Sequence, residues 1–292
     1  MRPSADAALT LRGNVIDGGS GRRATGVYLS TRDRRIDLAM TDNRVTTSSA
    51  GGELGLLLEG VVGTVARNFI SPGPGETSPA GVEVKAVEPP TGDFGFFNNV
   101  IVGSTSSDAN SSEGLILRGR GNEGTYANNT IYGGANDDAI GVRLAASAST
   151  PDLINNLVVA SRTCVLENSD QHDPGRFQNN ALSGCLVLYF DNGPGNDDQS
   201  LTDAAGVNAL TDVDASGNVD DAPVFEDPGA GDYSLASDGS SPLTIEEGAR
   251  DLSGSVFGDD FEGATRTATC AATCPPNAGA DGWSIGAFER DD

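Results

Sequence analysis

The residues best suited to chemistry are charged side chains that recur within one short pattern. The pattern reads glycine, aliphatic, any residue, aliphatic, and its copies begin at Gly26, Gly55, Gly81, Gly114 and Gly141. This alternation is typical of a half-buried strand whose aliphatic residues point inward. The outward positions of successive copies then hold Tyr28 and Ser30, Leu57 and Glu59, Glu83 and Lys85, Ile116 and Arg118, Arg143 and Ala145, and Val165 and Glu167.

If these strands stack, their outward side chains form one charged patch across four adjacent rungs. The predicted binding residues are Tyr28, Glu59, Glu83, Lys85, Arg118 and Arg143, and Lys85 is the only lysine in a chain of net charge −24. Such a set can bind a charged ligand, and its three cations are the candidates for any catalytic step. The alternative is a ladder of opposite charges that only relieves repulsion between stacked strands.

An asparagine column sets the repeat that must position these strands. Its members are Asn14, Asn43, Asn68, Asn99, Asn129, Asn156, Asn180 and Asn208, with separations of 24 to 31 residues. Two positions after each lies an aliphatic residue, namely Ile16, Val45, Ile70, Ile101, Ile131, Val158, Leu182 and Leu210. A period in this range, with the length variation confined to polar segments, is typical of a solenoid of short strands. We expect the asparagines to adopt the left-handed conformation of a sharp corner and to hydrogen-bond from rung to rung.

The repeat predicts an all-β fold, a parallel β-helix of about eight coils with three short strands per coil. Residues 1–218 would form the coil and residues 219–292 an irregular C-terminal cap. We expect the cap to close the C-terminal opening, because an uncovered last rung exposes strand edges and an apolar floor. The residues predicted to pack there are Phe225, Tyr233, Leu235, Trp283, Ile285 and Phe288.

The rung Asn98-Asn99-Val100-Ile101-Val102-Gly103 and its copies resemble right-handed parallel β-helix repeat proteins, the pectate-lyase-like superfamily, over about residues 12 to 215. Gly231-Asp232-Tyr233-Ser234-Leu235 and Ile285-Gly286-Ala287-Phe288-Glu289 are similar to the C-terminal segment of secreted bacterial β-helix proteins, although Thr244 to Gly248 depart from it. The resemblance implies a right-handed coil and a secreted or cell-surface location. In enzymes of that superfamily, such a surface carries substrate, with carboxylates holding calcium and an arginine or lysine abstracting a proton beside a uronate carboxylate.

Composition narrows the set of partners. A net charge of −24 and an isoelectric point near 4.1 disfavour nucleic acids and anionic membrane surfaces through simple repulsion. No apolar run is long enough to span a membrane, and residues 1–11 lack the features of a signal peptide. The chain begins almost directly in a rung, so we expect a further N-terminal piece that could carry a secretion signal. We expect a monomer.

The four cysteines are predicted to form two pairs. We place Cys164 and Cys185 at the same inward position on neighbouring rungs, within disulfide distance. The alternative is two small buried thiols that fill the column. Cys270 and Cys274 are predicted to form a small clip, and an even cysteine count suits a secreted protein. His172 is the sole histidine, which argues against zinc, and we expect it to be a solvated loop residue.

Calcium is the one cofactor that the acidic loops suggest. Asp212, Asp214 and Asp220 fit the first part of an EF-hand-like loop, but Pro223 stands where a bidentate glutamate is needed. A second candidate loop holds Asp191, Asn192, Asn196, Asp197 and Asp198. The alternative for both is a solvated acidic turn.

The sequence contains no phosphate-binding loop, no nucleophile elbow and no His-Glu-x-x-His motif. Our leading interpretation is a secreted or cell-surface β-helix protein that binds extracellular polysaccharide or a cell-surface glycan without a catalytic set. The first alternative is a polysaccharide lyase acting on an acidic glycan. The second is a structural or adhesive surface protein in which the rungs are only a spacer.

Overall fold

A computed structural model describes residues 7–21, 24–31, 36–48, 53–86, 94–119, 123–145, 150–193, 197–252, 258–266 and 283–289. Half of the structure is strand and very little is helix. The chain winds into a coil in which each strand pairs in parallel with its counterpart one turn later. The predicted all-β class and parallel β-solenoid are therefore confirmed.

The strands that build the coil are short and follow one another around it. In chain order they are β1 (Ala7–Arg12), β2 (Val15–Asp17), β3 (Thr25–Ser30), β4 (Ile36–Thr41), β5 (Arg44–Thr46), β6 (Leu54–Glu59), β7 (Val61–Ala66), β8 (Phe69–Ser71), β9 (Ala80–Ala86), β10 (Phe94–Phe97), β11 (Val100–Ser104), β12 (Ser112–Gly119), β13 (Thr125–Ala127), β14 (Thr130–Gly134), β15 (Ala139–Ala145), β16 (Asp152–Ile154), β17 (Leu157–Val159), β18 (Thr163–Glu167), β19 (Arg176–Gln178), β20 (Ala181–Ser183) and β21 (Val187–Asp191). The later elements are β22 (Gln199–Leu201), α1 (Ala204–Val207), β23 (Asp214–Ser216), β24 (Phe225–Asp227), a 3₁₀ turn (Pro228–Ala230), β25 (Asp232–Leu235) and α2 (Leu243–Glu246).

Stacking arranges the coil into three sheets. The first sheet contains β1, β4, β7, β10, β13, β16, β19 and β23, and the second contains β2, β5, β8, β11, β14, β17 and β20. The third contains β3, β6, β9, β12, β15, β18 and β21, with β22 added antiparallel at its end. A separate hairpin is formed by β24 and β25.

The coil makes about six turns rather than the eight that the asparagine count predicted. The seven strands of the second sheet are joined by six parallel pairings. The eighth predicted position fails because Asn208 is the C-cap of α1 and Leu210 is not in a strand. Asn218 lies at the end of the column instead.

The asparagine column forms a continuous hydrogen-bonded ladder inside the coil. From Asn14 to Asn180, each backbone N and Nδ2 donates to the Oδ1 of the next ladder asparagine at 2.9–3.1 Å. From Asn43 onward these side chains are at most 3% exposed. Buried amides are stabilising only when their hydrogen bonds are satisfied, so the ladder fixes the spacing of the rungs.

The left-handed residue of each corner precedes the ladder asparagine, which corrects our expectation by one position. Positive φ angles of 52–60° are found at Asp42, Arg67, Asn98, Asn128, Asn155 and Asn179. The side chains of three of these residues, Asn98, Asn155 and Asn179, donate hydrogen bonds to backbone oxygens of the C-terminal segment.

The aliphatic column is in register, as predicted. Ile16, Val45, Ile70, Ile101, Ile131, Val158 and Leu182 pair in sequence along the second sheet. All but Ile16 are buried. The glycine near the start of β3, β6, β9, β12 and β15 is needed beside this column, since a Cβ at Gly81 would lie 2.5 Å from the Cγ2 atom of Ile101.

The C-terminal segment follows a different path from the one predicted. It leaves the coil at Val219 and runs back along the outside of the first and second sheets. Hydrogen bonds join Asn179 to Gly248, Asn155 to Arg250 and Asn98 to Asp259. The predicted apolar residues pack there, against Phe97, Ile154 and Val100 among others, and the last rung is covered by Val207 and Val213 instead. We call the described residues after Val219 the strap.

Candidate functional site

The outer face of the third sheet brings the predicted binding residues together. Pairing aligns Tyr28, Leu57, Glu83, Ile116 and Arg143 in one row, and Ser30, Glu59, Lys85, Arg118 and Ala145 in the next. The side chains between them, such as Val82 and Val84, are buried in the core. The register predicted for these five rungs is therefore confirmed.

The register changes at the following rung, and our prediction for it is wrong. Arg143 pairs with Leu166, and Leu144 pairs with Glu167. Val165 and Glu167 therefore point into the coil, where both are buried. The outward residues of each strand were predicted by counting from its glycine. In β18 Cys164 occupies the position of that glycine, so the count began at the wrong residue.

Each cation of the patch is paired with a carboxylate. The Nζ atom of Lys85 lies 2.6 Å from the Oε1 atom of Glu59, and the Nε atom of Arg118 lies 3.3 Å from the Oε1 atom of Glu83. The guanidinium of Arg143 binds Glu113 at 2.5 Å. This is the opposite-charge ladder that we raised as the alternative, although Lys85 and Arg118 remain nearly half exposed, at 47% and 46% of their side chains.

Hydrogen bonding fixes the charge states at the start of the patch. Lys85 donates to Glu59, which also accepts from Ser30 Oγ at 2.6 Å and from the Tyr28 hydroxyl at 3.4 Å. The hydrogen bond from Lys85 lowers the pKa of Glu59. The same bond raises the pKa of Lys85, so this side chain is an ammonium group at neutral pH. It can bind an anion, but it cannot accept a proton.

A second group of titratable residues was missed from the sequence. Glu167 lies in the inward row that earlier rungs fill with leucine and valine. It accepts hydrogen bonds from the Tyr189 hydroxyl and from the backbone N of Asn192, and it contacts the carboxyl group of Asp191. Burial raises the pKa of Glu167 to about 8. Alternation within β18 puts Val165 and Glu167 on the same side of the strand. This pattern could have shown that Glu167 points inward, if the strand had not been aligned on a glycine that it lacks.

Further carboxylates lie near this buried pair. Burial and the charge of Asp212 raise the pKa of Asp191. Burial, followed by the charges of Asp212 and Asp191, raises the pKa of Asp173 to about 6. At neutral pH, Glu167 therefore keeps a proton that a free glutamate would have released.

The predicted calcium ligands have other roles in the fold. Asp214 accepts from Gln178 Nε2 at 2.9 Å, and Asp220 accepts from the backbone N of Ala204 at 3.0 Å. In the second candidate loop Asp191 belongs to the buried pair, and Asn196 lies outside the described residues. Within the described ranges, no group of three or more histidine, cysteine, aspartate or glutamate residues could hold a metal ion.

His172 is buried rather than solvated, at 9% exposure, which corrects our expectation. Burial lowers the pKa of its imidazole. Among the residues that the structure describes, its Nδ1 atom has no hydrogen-bond partner. A neutral, enclosed imidazole of this kind packs as part of the fold and is not available as a surface base.

The disulfide between Cys164 and Cys185 is confirmed, with the two Cα atoms 5.6 Å apart. The geometry differs from the one predicted. Thr163 and Val165 pair with Val187 and Tyr189, so Cys185 lies in the corner before β21 rather than opposite Cys164. The bond therefore joins a strand to the following corner. Cys270 and Cys274 lie outside the described residues.

The chain folds as a parallel β-solenoid, and one outer face of the solenoid carries a row of charged side chains. No protein-family model, no curated protein and no solved structure matches this chain. The resemblance to the pectate-lyase-like superfamily therefore rests on the rung and C-terminal motifs alone. No helix among the described residues has the length and apolar character needed to cross a membrane.

Proposed function

We propose that the outer face of the third sheet binds an acidic polysaccharide at the cell surface or in the extracellular medium. The observation that carries the proposal is the placement of Lys85 and Arg118, which are direct cross-strand partners. Like charges directly opposite each other destabilise a sheet. Glu59 and Glu83 already offset part of that repulsion. An anionic group held between the two half-exposed cations would relieve it further, and a uronate carboxylate has the size and charge to do so.

The neighbouring residues suit a sugar chain. Stacked strands are spaced by about 4.8 Å, so the face presents a regular row of side chains to an extended polymer. Arg118 can hold a carboxylate through two parallel hydrogen bonds, and Lys85 can add a point charge. Tyr28 is 58% exposed at the start of the row, where its ring offers an apolar face to a sugar.

The charge states favour binding over lyase chemistry. A lyase needs a group that takes a proton next to the uronate carboxylate. Lys85 is held as an ammonium group by Glu59, and the side chains of Arg118 and Arg143 are hydrogen-bond donors without an acceptor atom. The alternative of a structural protein whose rungs are only a spacer is supported by the ion pairs, because they need no ligand. A direct binding test separates this alternative from our proposal.

The test compares affinities for a polymer of uronic acid and for the same polymer after its carboxyl groups have been reduced. We expect Lys85→Ala/Arg118→Ala to weaken binding to the acidic polymer by about tenfold or more, since hydrogen bonds to charged groups each contribute about 1.5–3 kcal/mol. Binding to the reduced polymer should be weak for all variants. Release of ultraviolet-absorbing unsaturated sugars would instead identify a lyase.

A matched control separates the site from the net charge. Arg12→Ala/Arg176→Ala also removes two ion-paired arginines, but these lie on the first sheet and bind Asp42 and Asp152. We expect this control to bind as the unchanged protein does. Equal affinities for the two double variants, or no binding by the unchanged protein, would contradict the proposal and favour the spacer.

A further inference from the structure

The outer row of the third sheet continues past Arg143. Arg143 pairs with Leu166 in β18, and Leu166 pairs with Phe190 in β21. Their strand neighbours Val165 and Tyr189 are buried in the core, so Leu166 and Phe190 point outward, where both are partly exposed. The face therefore runs over seven strands from β3 to β21, a distance of about 29 Å at about 4.8 Å per pairing.

The chemistry of the row changes at its last two strands. The three cations Lys85, Arg118 and Arg143 lie on consecutive strands, β9, β12 and β15, about 10 Å from first to last. Strands β18 and β21 contain no lysine or arginine. Arg162 precedes β18, but it pairs with Asp138 at 2.6 Å. The far end of the face is therefore apolar, whereas its centre is cationic.

Amide side chains accompany the two apolar residues. Asn168 directly follows β18 and is exposed, and its Oδ1 atom accepts a hydrogen bond from the Nη1 atom of Arg143 at 3.2 Å. Asn192 directly follows β21 and is partly exposed. A sugar ring without charge has an apolar C–H face and a rim of hydroxyl groups, which suit apolar side chains beside amides. The last two strands thus carry groups that fit a neutral sugar.

The surrounding charge disfavours a uronate at this end of the face. Three exposed carboxylates, those of Asp170, Asp198 and Asp212, lie near enough to Asp173 or Asp191 to act on their charges. Asp191 is the last residue of β21, next to Phe190. Like charges brought together weaken binding, whereas a neutral sugar meets no such repulsion.

We propose that Leu166 and Phe190 form a second subsite of the binding face, which takes a neutral sugar. The inference rests on the proposed function and defines its ligand as a mixed acidic polysaccharide. About two or three consecutive uronates would lie along the cations, and neutral sugars would follow over Leu166 and Phe190. A stretch of uronic acid alone fits the centre of the face but not this end.

The experiment measures the affinity of the full chain for a hexauronate and for three uronates joined to three neutral sugars in either order. We expect one mixed order to bind about tenfold more tightly than the hexauronate, because burial of the two apolar side chains adds to binding. Leu166→Ala/Phe190→Ala should remove that gain and leave the affinity for a uronate trimer unchanged. Leu186→Ala is the matched control and should keep the gain, because Leu186 is 76% exposed but lies at the corner before β21.

The outcomes separate this inference from the proposed function. Failure of the unchanged protein to bind the uronate trimer would contradict the proposed function, and this inference with it. Binding of the trimer with equal affinities for the three hexasaccharides would overturn this inference alone, and that comparison needs no variant. A gain that persists in Leu166→Ala/Phe190→Ala would also overturn it. Dimers in sedimentation that are lost in the double variant would assign the two side chains to a contact between copies and would overturn the subsite as well.

Discussion

The Oδ1 atom of Asn208 accepts two hydrogen bonds from Asn218, one from its backbone N at 3.0 Å and one from its Nδ2 at 2.9 Å. These are the same two bonds that every ladder asparagine makes with the next. Here the acceptor comes from the end of α1, ten residues earlier in the chain, and not from another rung. The ladder therefore ends at Asn208, which supplies the acceptor atom that a further rung would otherwise have supplied.

Asn208→Ala should destabilise the protein by about 1–3 kcal/mol, because it leaves the two donor groups of the buried Asn218 without an acceptor. Urea denaturation measures the change. Asn110→Ala, at an exposed asparagine, is the control and should change stability by less than about 0.5 kcal/mol. Equal effects of the two substitutions would show that Asn208 does not close the ladder.

Arg266 should hold the strap to the coil. Its buried guanidinium pairs with Glu289 at 3.0 Å and donates to the carbonyl oxygens of Ser284 and Gly286 and to the side chain of Asn98. Arg266→Met leaves the carboxylate of Glu289 buried without its partner, which costs about 3–5 kcal/mol.

The single tryptophan reports the strap directly. Trp283 lies in the strap and is 1% exposed, so its release into water should shift its fluorescence to longer wavelength. Arg250→Met is the control, because Arg250 is an exposed strap arginine whose side chain donates to Gln178 on the coil at 3.3 Å. Loss of this exposed hydrogen bond should leave the spectrum nearly unchanged. A buried tryptophan signal in Arg266→Met would show that the strap stays docked without this ion pair.

Stability should fall as the pH rises from about 4.5 to about 8. The pKa of Glu167 is raised from 4.5 to about 8, so in this range the folded chain holds a proton that the unfolded chain releases. The contribution is fully present below the unfolded pKa and is lost as the pH rises through the folded one. Asp173 and Glu289, with pKa values raised to about 6 and about 7, act in the same direction.

Glu167→Gln removes the titrating group while keeping an oxygen for the Tyr189 hydroxyl. Denaturation across this pH range should therefore show a shallower loss of stability in the variant than in the unchanged protein. Glu59→Gln is the control, because the pKa of Glu59 is lowered and its titration falls below this range. The same slope in Glu167→Gln and the unchanged protein would contradict the assignment.

Reduction of the bond between Cys164 and Cys185 should lower stability by about 3 kcal/mol, because the bond closes a loop with a sequence separation of 21. Cys164→Ser/Cys185→Ser should reproduce that loss and make the melting temperature insensitive to reductant. Mass spectrometry without reduction should find all four cysteines bridged, including the clip predicted between Cys270 and Cys274. Alkylation of Cys164 in unreduced native material would contradict the first pairing.

Periodic features were readable from the sequence, and features that depend on the path of the chain were not. Ile101 and Asn99 could be assigned to their columns because an aliphatic residue and an asparagine recur at the same positions of each rung. The register of Glu83 and Lys85 followed from their fixed distance to Gly81. Glu167 was misplaced because Cys164 replaced that glycine. The contacts of Asn98 with the strap could not be foreseen, since they join residues more than a hundred positions apart and no period links them.

The most direct test of the proposed binding face uses the fact that Lys85 is the only lysine. An amine-reactive reagent can label Lys85 and the N-terminal amine, and mass spectrometry follows the two rates separately. We predict that an oligomer of uronic acid slows labelling of Lys85 by about tenfold at saturation, in line with a contact worth about 1.4 kcal/mol, while the N-terminal rate and the effect of a neutral oligosaccharide stay unchanged. Unaltered labelling of Lys85 with the oligomer bound would place the binding site elsewhere and contradict the account.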